Sequence, residues 1–194
     1  MQALLLFAPL LIGCASQKLL RLESQLLEAE NVQLRADLQA SRGQAAPENF
    51  ATVVTVDVVS GYLTKAGMQG VEVAAPNVLS LPVRGANTDF KIDIQLFLPE
   101  KVLFLVASDY LRIEDASSPQ AMVLLLTQLA AMNYDLLLGK FQLNPRSGEI
   151  SLSIELNLDD GLGYLTFERA LRHLMATADD RYLTLSKAAR GEGM

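Results

Sequence analysis

Alternating apolar and polar side chains divide the second half of the chain into short elements. In "DFKIDIQLFL", Phe90, Ile92, Ile94, Leu96 and Leu98 share one side of a two-residue period. Lys91, Asp93, Gln95 and Phe97 share the other, which predicts a strand with one buried face. "NVLSLPV" before it reads as a short strand. "PEKV" after it makes a turn, and "VLFLVASDYLRI" reads as a more uniformly apolar, central strand. Ser118 and Pro119 supply an N-cap and a first-turn proline for the helix "PQAMVLLLTQLAAMNYD". That helix is apolar on most sides and is expected to lie buried between the sheet and another layer. "LLLGKFQLNPRSGEISLSIELNL" predicts a hairpin turning at "NPRSG", closed by Gly148. In its second strand Ile150, Leu152, Ile154, Leu156 and Leu158 oppose Ser151, Ser153, Glu155 and Asn157. Thr166 is placed to cap a last helix, whose apolar stripe is Phe167, Ala170, Leu171, Leu174, Ala178 and Tyr182. "FATVVTVDVVSGYLTKAGM" fits a two-residue period through Val54, Val56 and Val58. It fits equally an i, i+4 track through Phe50, Val54, Val58, Tyr62 and Ala66.

The first quarter of the chain follows other rules. Leu20, Leu27 and Leu34 recur every seven residues, with Ser24, Asn31 and Leu38 in the companion positions, so 17–42 predicts a helix with a heptad stripe. A second partial stripe, Leu19, Leu22, Leu26 and Ala29, widens the apolar face. The segment reads either as a coiled-coil seam of Leu20, Leu27, Asn31, Leu34 and Leu38 or as a single solvated helix. Asn31 in a seam favours a dimer in one register. "GQAAPEN" then ends the helix and serves as a linker. Ahead of the heptads, residues 2–13 are uncharged and mostly aliphatic. That run is too short to span a bilayer, which takes about 20 residues, and suits the apolar core of a secretory signal. It ends in Leu11, Ile12, Gly13 and Cys14, which resembles the bacterial lipobox. The resemblance implies cleavage before Cys14, lipid on its sulfur and a membrane anchor. "MQALLLFAPLL" departs from the pattern in carrying no Lys or Arg. Ala15 and Ser16 after the cysteine, with no Asp, imply the outer membrane, facing the periplasm. The alternative is an unmodified cysteine on an N-terminal helix.

Composition narrows the chemistry. Net charge is −6 with Lys and Arg scattered among acids, so no basic face exists for nucleic acid. The one cysteine excludes an internal disulfide. His173 is the only histidine, and with no cysteine partner it makes no metal site; it reads as a helix-surface histidine. Asp159 and Asp160 offer adjacent acids and then an apolar run, an ordinary turn rather than a calcium loop. "DGLG" lacks the residues of a phosphate loop, and no histidine stands where a serine triad would need its base. The reading is a non-enzyme with no cofactor and no metal. The candidate partner surface is the polar side of the two alternating strands: Lys91, Asp93, Gln95, Phe97, Ser151, Ser153 and Glu155.

A family comes into view in "MNYDLLLGKFQLNPRSGEISLSIELNLDDGLGYLTFERALRHLMATAD". A helix ending in "MNYDLLLGKFQL", a hairpin, a "DDG" loop and a long last helix resemble the YbjN-type domain, which shares the fold of class I type III secretion chaperones. The resemblance spans about Phe50 to Leu185 and is specific over Met132 to Asp180. It implies an α+β fold: an antiparallel sheet of about five strands with helices packed on it, in the order α-β-β-β-α-β-β-α. It also makes Phe50 to Gly67 the opening helix. It supplies no catalytic residues, and it implies a dimer that binds protein or peptide. The expected organisation is a signal peptide at 1–13, a lipid-anchored helical stalk and linker at 14–47, and the YbjN-like domain at 48–194. The expected function is a chaperone-like or regulatory module, anchored in the bacterial envelope and held off the membrane by the stalk. The alternative is a ligand sensor with a small-molecule pocket between sheet and last helix.

Overall fold

The structure, a computed structural model, describes residues 49–192. The expected signal peptide, the lipobox-like residues Leu11, Ile12, Gly13 and Cys14, and the heptad positions Leu20, Leu27, Asn31, Leu34 and Leu38 lie outside the described residues. The described part is α+β, with an antiparallel sheet and three α-helices.

The elements in chain order are β1 (Phe50–Ala51), α1 (Val56–Lys65), β2 (Glu72–Ala75), β3 (Val78–Arg84), β4 (Asp89–Phe97) and β5 (Val102–Arg112). After a 3-10 turn at Ile113–Asp115 come α2 (Pro119–Asp135), β6 (Lys140–Leu143), β7 (Glu149–Asn157), β8 (Leu162–Gly163) and α3 (Tyr164–Ala189). The main sheet has six strands, ordered β2-β3-β4-β5-β7-β6, every neighbouring pair antiparallel. The sixth strand beyond the expected five is β2, whose four residues are all exposed and carry no alternation to announce it. The opening helix is shorter than expected. Thr55 caps it by accepting a hydrogen bond from the Val58 N–H, and Phe50–Ala51 instead pairs with Leu162–Gly163 as a two-stranded ribbon. At its other end Gly67 takes φ 78°, its N–H bonds the Thr64 carbonyl and that of Met68 bonds the Leu63 carbonyl. These two bonds make a Schellman cap, which needs a residue tolerant of positive φ.

One sheet face is core. Leu81, Ile92, Ile94, Leu103, Leu105, Ile150, Leu152 and Ile154 are each at most 2 % exposed. The long helix α3 lies over them through Phe167, Ala170, Leu171, Leu174 and Ala178, with α1 beside it. This helix begins at Tyr164 with Gly163 as N-cap and no side-chain cap bond, so Thr166 is not its cap. The other correction concerns α2. Ser118 caps it and Pro119 opens it, as expected, but it is not enclosed on most sides. It packs chiefly on α3 and touches the sheet mainly at the edge strand β6. Ala121, Leu125, Leu129 and Met132 are buried, while Met122, Val123 and Leu126 face outward.

Two polar contacts fix the periphery. At the outer edge of the sheet, the Asn133 side chain of α2 accepts the Phe141 N–H at 2.7 Å and donates to the Phe141 carbonyl at 2.9 Å. It thereby occupies part of the edge that a further strand would pair with. At the other side, Asp179 of α3 accepts the backbone N–H groups of Ala86, Asn87 and Thr88 at 3.0, 2.8 and 3.2 Å, holding the β3–β4 turn. Desolvation pushes the pKa of this carboxyl up, but the three N–H groups and the Asn87 amide outweigh it and hold the pKa below the ordinary aspartate value. A depressed folded pKa contributes stability that is present above the unfolded value, near 4, and lost as pH falls through the folded one. Asp179→Ala is therefore expected to cost about 1–2 kcal/mol at neutral pH and to leave a smaller acid-dependent loss. Urea titrations of both proteins between neutral and acid pH check this. An unchanged acid profile would show that Asp179 is not the group responsible.

Candidate functional site

The face of the sheet opposite the helices is where the candidate residues lie. The register of β4 against β5 and of β5 against β7 places Lys91, Asp93, Gln95, Phe97, Ser151, Ser153 and Glu155 on one side, away from the core. One cross-sheet row runs Glu72, Ser80, Asp93, Val106, Ser153, Lys140; the next runs Val78, Gln95, Phe104, Glu155. Asp93 sits centrally and is half-buried. One of its carboxylate oxygens accepts the Ser80 hydroxyl at 3.0 Å and the other accepts Ser108 at 2.7 Å. Lys91 does not join it: its ammonium bonds Asp109 at 2.9 Å, and that hydrogen bond, with the aspartate charge, raises its pKa. Ser153 is the least accessible of the group, and its hydroxyl points to the Lys140 carbonyl at 3.5 Å. Beside Asp93 the face dips into a hollow of about 410 Å³ that Gln95, Gln142, Glu149 and Ser151 also line.

Sequence reasoning missed the apolar part of this surface. Val102, Phe104 and Val106 of β5 alternate with the buried Leu103, Leu105 and Ala107, so they point to the open face and are half-buried. Phe97 stands against Phe104 edge-on, with ring centroids 5.4 Å apart and planes at 76°. The uniformly apolar run of β5 conceals which alternate residues face outward; only the pairing of Phe104 with Gln95 and Glu155 settles it.

The bend in the same strand explains one more placement. Between Ala107 and Leu111 the register slips, and Asp109 takes φ 54°. Such a bulge redirects the side chain after it, here sending Tyr110 to the helix side, where its hydroxyl donates to the Ala178 carbonyl at 2.6 Å.

The remaining sequence candidates are structural. His173 is exposed; its Nε2 lies 3.3 Å from the Leu138 carbonyl and 3.5 Å from the Thr177 hydroxyl, latching the loop after α2. Among the described residues no group of three metal-binding side chains comes together. Asp159 makes a turn: its N–H bonds the Asn157 side chain at 2.7 Å and its carboxylate meets Lys101 at 3.5 Å. The Asn157 amide, then Lys101, hold its pKa below the usual range. Between sheet and last helix, where the alternative reading put a ligand pocket, Ile92, Leu103, Leu105, Ile150, Phe167, Leu171 and Leu174 are all apolar and each 0 % exposed. Among the described residues no helix is long and apolar enough to cross a membrane.

Comparison with known proteins adds a family. Of solved structures, the crystal structure of YbjN from E. coli is similar at 19 % identity, with 72 % of this chain and 91 % of that chain covered and a TM-score of 0.49. The ExsC–ExsE complex is similar at 17 % identity, with 68 % and 97 % covered and a TM-score of 0.48. The HopA1–SchA chaperone–effector complex follows at 15 %, with 63 % and 88 % covered and a TM-score of 0.45. Among curated proteins none matches. The YbjN family model, described as "Putative bacterial sensory transduction regulator", matches residues 55–186, from the cap of α1 to the last turns of α3. The chain belongs to the YbjN family.

Proposed function

We propose that this chain is a lipid-anchored protein of the bacterial envelope whose YbjN domain binds protein, in a chaperone-like or regulatory role, without catalysis. In this reading Cys14 carries the lipid, the outer membrane holds it, residues 14–47 form a coiled-coil stalk, and the domain faces the periplasm as a homodimer. The observation that carries the binding role is the outer face of α2. From Pro119 to Tyr134 the helix has no charged residue, and Met122, Val123 and Leu126 are 38 %, 64 % and 38 % exposed. In a chain of net charge −6, an uncharged apolar helix face left to water is a surface that a partner covers. A second copy laid antiparallel across it would bury the same residues twice, as a two-fold contact does.

Two measurements test this. Fractionation with mass spectrometry of the N-terminus is expected to find Cys14 acylated in membranes and Cys14→Ser released from them. An unprocessed, unacylated soluble chain overturns the anchor. Val123→Lys with Leu126→Lys is expected to turn a dimer into a monomer in sedimentation runs while the far-ultraviolet spectrum stays unchanged. A monomer before the substitutions overturns the dimer.

A further inference from the structure

The open face of the sheet carries a second, chemically different surface. Val102, Phe104 and Val106 form an apolar strip along β5, widened at the Val102 end by Phe97 of β4, which is 42 % exposed. Four strand steps make the strip about 14 Å long. Acids border it on both sides: Asp93 stands across from Val106 and Glu155 across from Phe104. Neither acid has an ion pair among the described residues: Lys91 on β4 is held by Asp109, and Lys140 on β6, which lines a hollow with Glu155, makes no salt bridge to it. Asp93 is fixed in place by the two serine hydroxyls rather than neutralised. The strip is thus apolar along its centre, with one unpaired acid on each border.

A segment lying on the face of a sheet receives no backbone hydrogen bonds from it, unlike one added at an edge. The occupant must satisfy its own backbone, so a helix fits and a lone extended strand does not. About nine helical residues cover 14 Å. We infer that the open face binds a short basic amphipathic helix of another protein, with apolar side chains at i, i+3 or i+4, and i+7 on Val102, Phe104, Val106 and Phe97, and with Lys or Arg flanking them toward Asp93 and Glu155. This inference rests on the protein-binding reading above and names the chemistry of the partner. It places that partner on the sheet and leaves the α2 face to the second copy.

The experiment titrates the full chain into a fluorescein-labelled peptide of about fourteen residues, with Leu at the i, i+4, i+7 positions, Lys beside them and Ala elsewhere. A matched peptide has Glu in place of Lys. Anisotropy is expected to saturate with the basic peptide, to stay flat with the acidic one, and to fall as salt is raised. Glu155→Lys, a change at an exposed site, is expected to weaken binding roughly tenfold and flatten the salt dependence. Phe104→Lys is expected to abolish binding with sedimentation unchanged. Equal binding of both peptides, or no effect of either substitution, overturns the inference. A change of oligomeric state in Phe104→Lys also overturns it, because the face is then covered by a second copy. If the peptide fails to bind while the Val123→Lys, Leu126→Lys protein still loses its dimer, the inference alone falls and the wider reading stands.

Discussion

Tyr110→Ala is expected to destabilise the domain by about 4 kcal/mol, in the range for removing a buried aromatic side chain. The reason is the number of elements that this one ring joins. It is 5 % exposed, stands edge-on to Phe90 of β4 and Tyr182 of α3, and stacks on Phe141 of β6. Its hydroxyl reaches the Ala178 carbonyl at 2.6 Å, so the ring also pins α3 to the bulge of β5. Burial, with the charges of Tyr182 and Asp179 adding to it, pushes the phenol pKa well above its ordinary value, so the group stays a neutral donor across the accessible pH range. Tyr110→Phe keeps the ring and loses the hydrogen bond, and is expected to cost about 1 kcal/mol. Urea unfolding of the two variants separates ring from hydroxyl. Equal losses in both would show that the hydroxyl, not the packing, holds the helix to the sheet.

Gly85→Ala is expected to cost about 3 kcal/mol and to lower the midpoint of thermal unfolding by roughly 10 °C for a domain of this size. A Cβ on Gly85 would run into a carboxylate oxygen of Asp179 and the Thr88 carbonyl. Neither has room to retreat. The Thr88 carbonyl accepts the Gly85 N–H and closes the β3–β4 turn, and the Asp179 carboxylate is held by the three N–H groups of residues 86–88. The methyl must therefore break the turn or expel the carboxylate, and either leaves backbone N–H groups without their acceptor. In a double-mutant cycle with Asp179→Ala the two losses are expected to be less than additive, since both undo the same contact. Simple additivity would mean that the clash with the Thr88 carbonyl decides the cost by itself.

Much of the core was legible in the residues because a strand with one buried face has to alternate. Phe90 to Leu96 and Ile150 to Ile154 are apolar where the helices cover them and polar where they do not. The Ser118–Pro119 start of α2 was legible for a similar reason: a helix start leaves N–H groups that a nearby side chain must satisfy. β2 was not legible, since all four of its residues are exposed and its place is set by the neighbour it pairs with. The outer face of α2 was misread as buried. A helix uniformly apolar in sequence says nothing of how many of its sides are covered, and here α3 covers one. The β5 part of the candidate surface was missed in the same way, because Phe104 lies in a run where every residue is apolar, whereas Phe97, in an alternating strand, was legible.

By itself, then, the amino-acid order determined what local periodicity and end chemistry can carry: the types of the clearly periodic elements from Val78 onward, the inward side of each alternating strand, and an acidic chain with no histidine or cysteine cluster for catalysis. Tertiary structure alone decided the strand order β2-β3-β4-β5-β7-β6, the bulge that turns Tyr110 inward, and the meeting of Asp93, Phe97 and Phe104 on an uncovered face. The physical reason is range. Periodicity and capping act between residues a few positions apart, whereas the contact between Asp179 and the turn at 86–88 spans more than ninety positions and exists only after the chain has closed on itself.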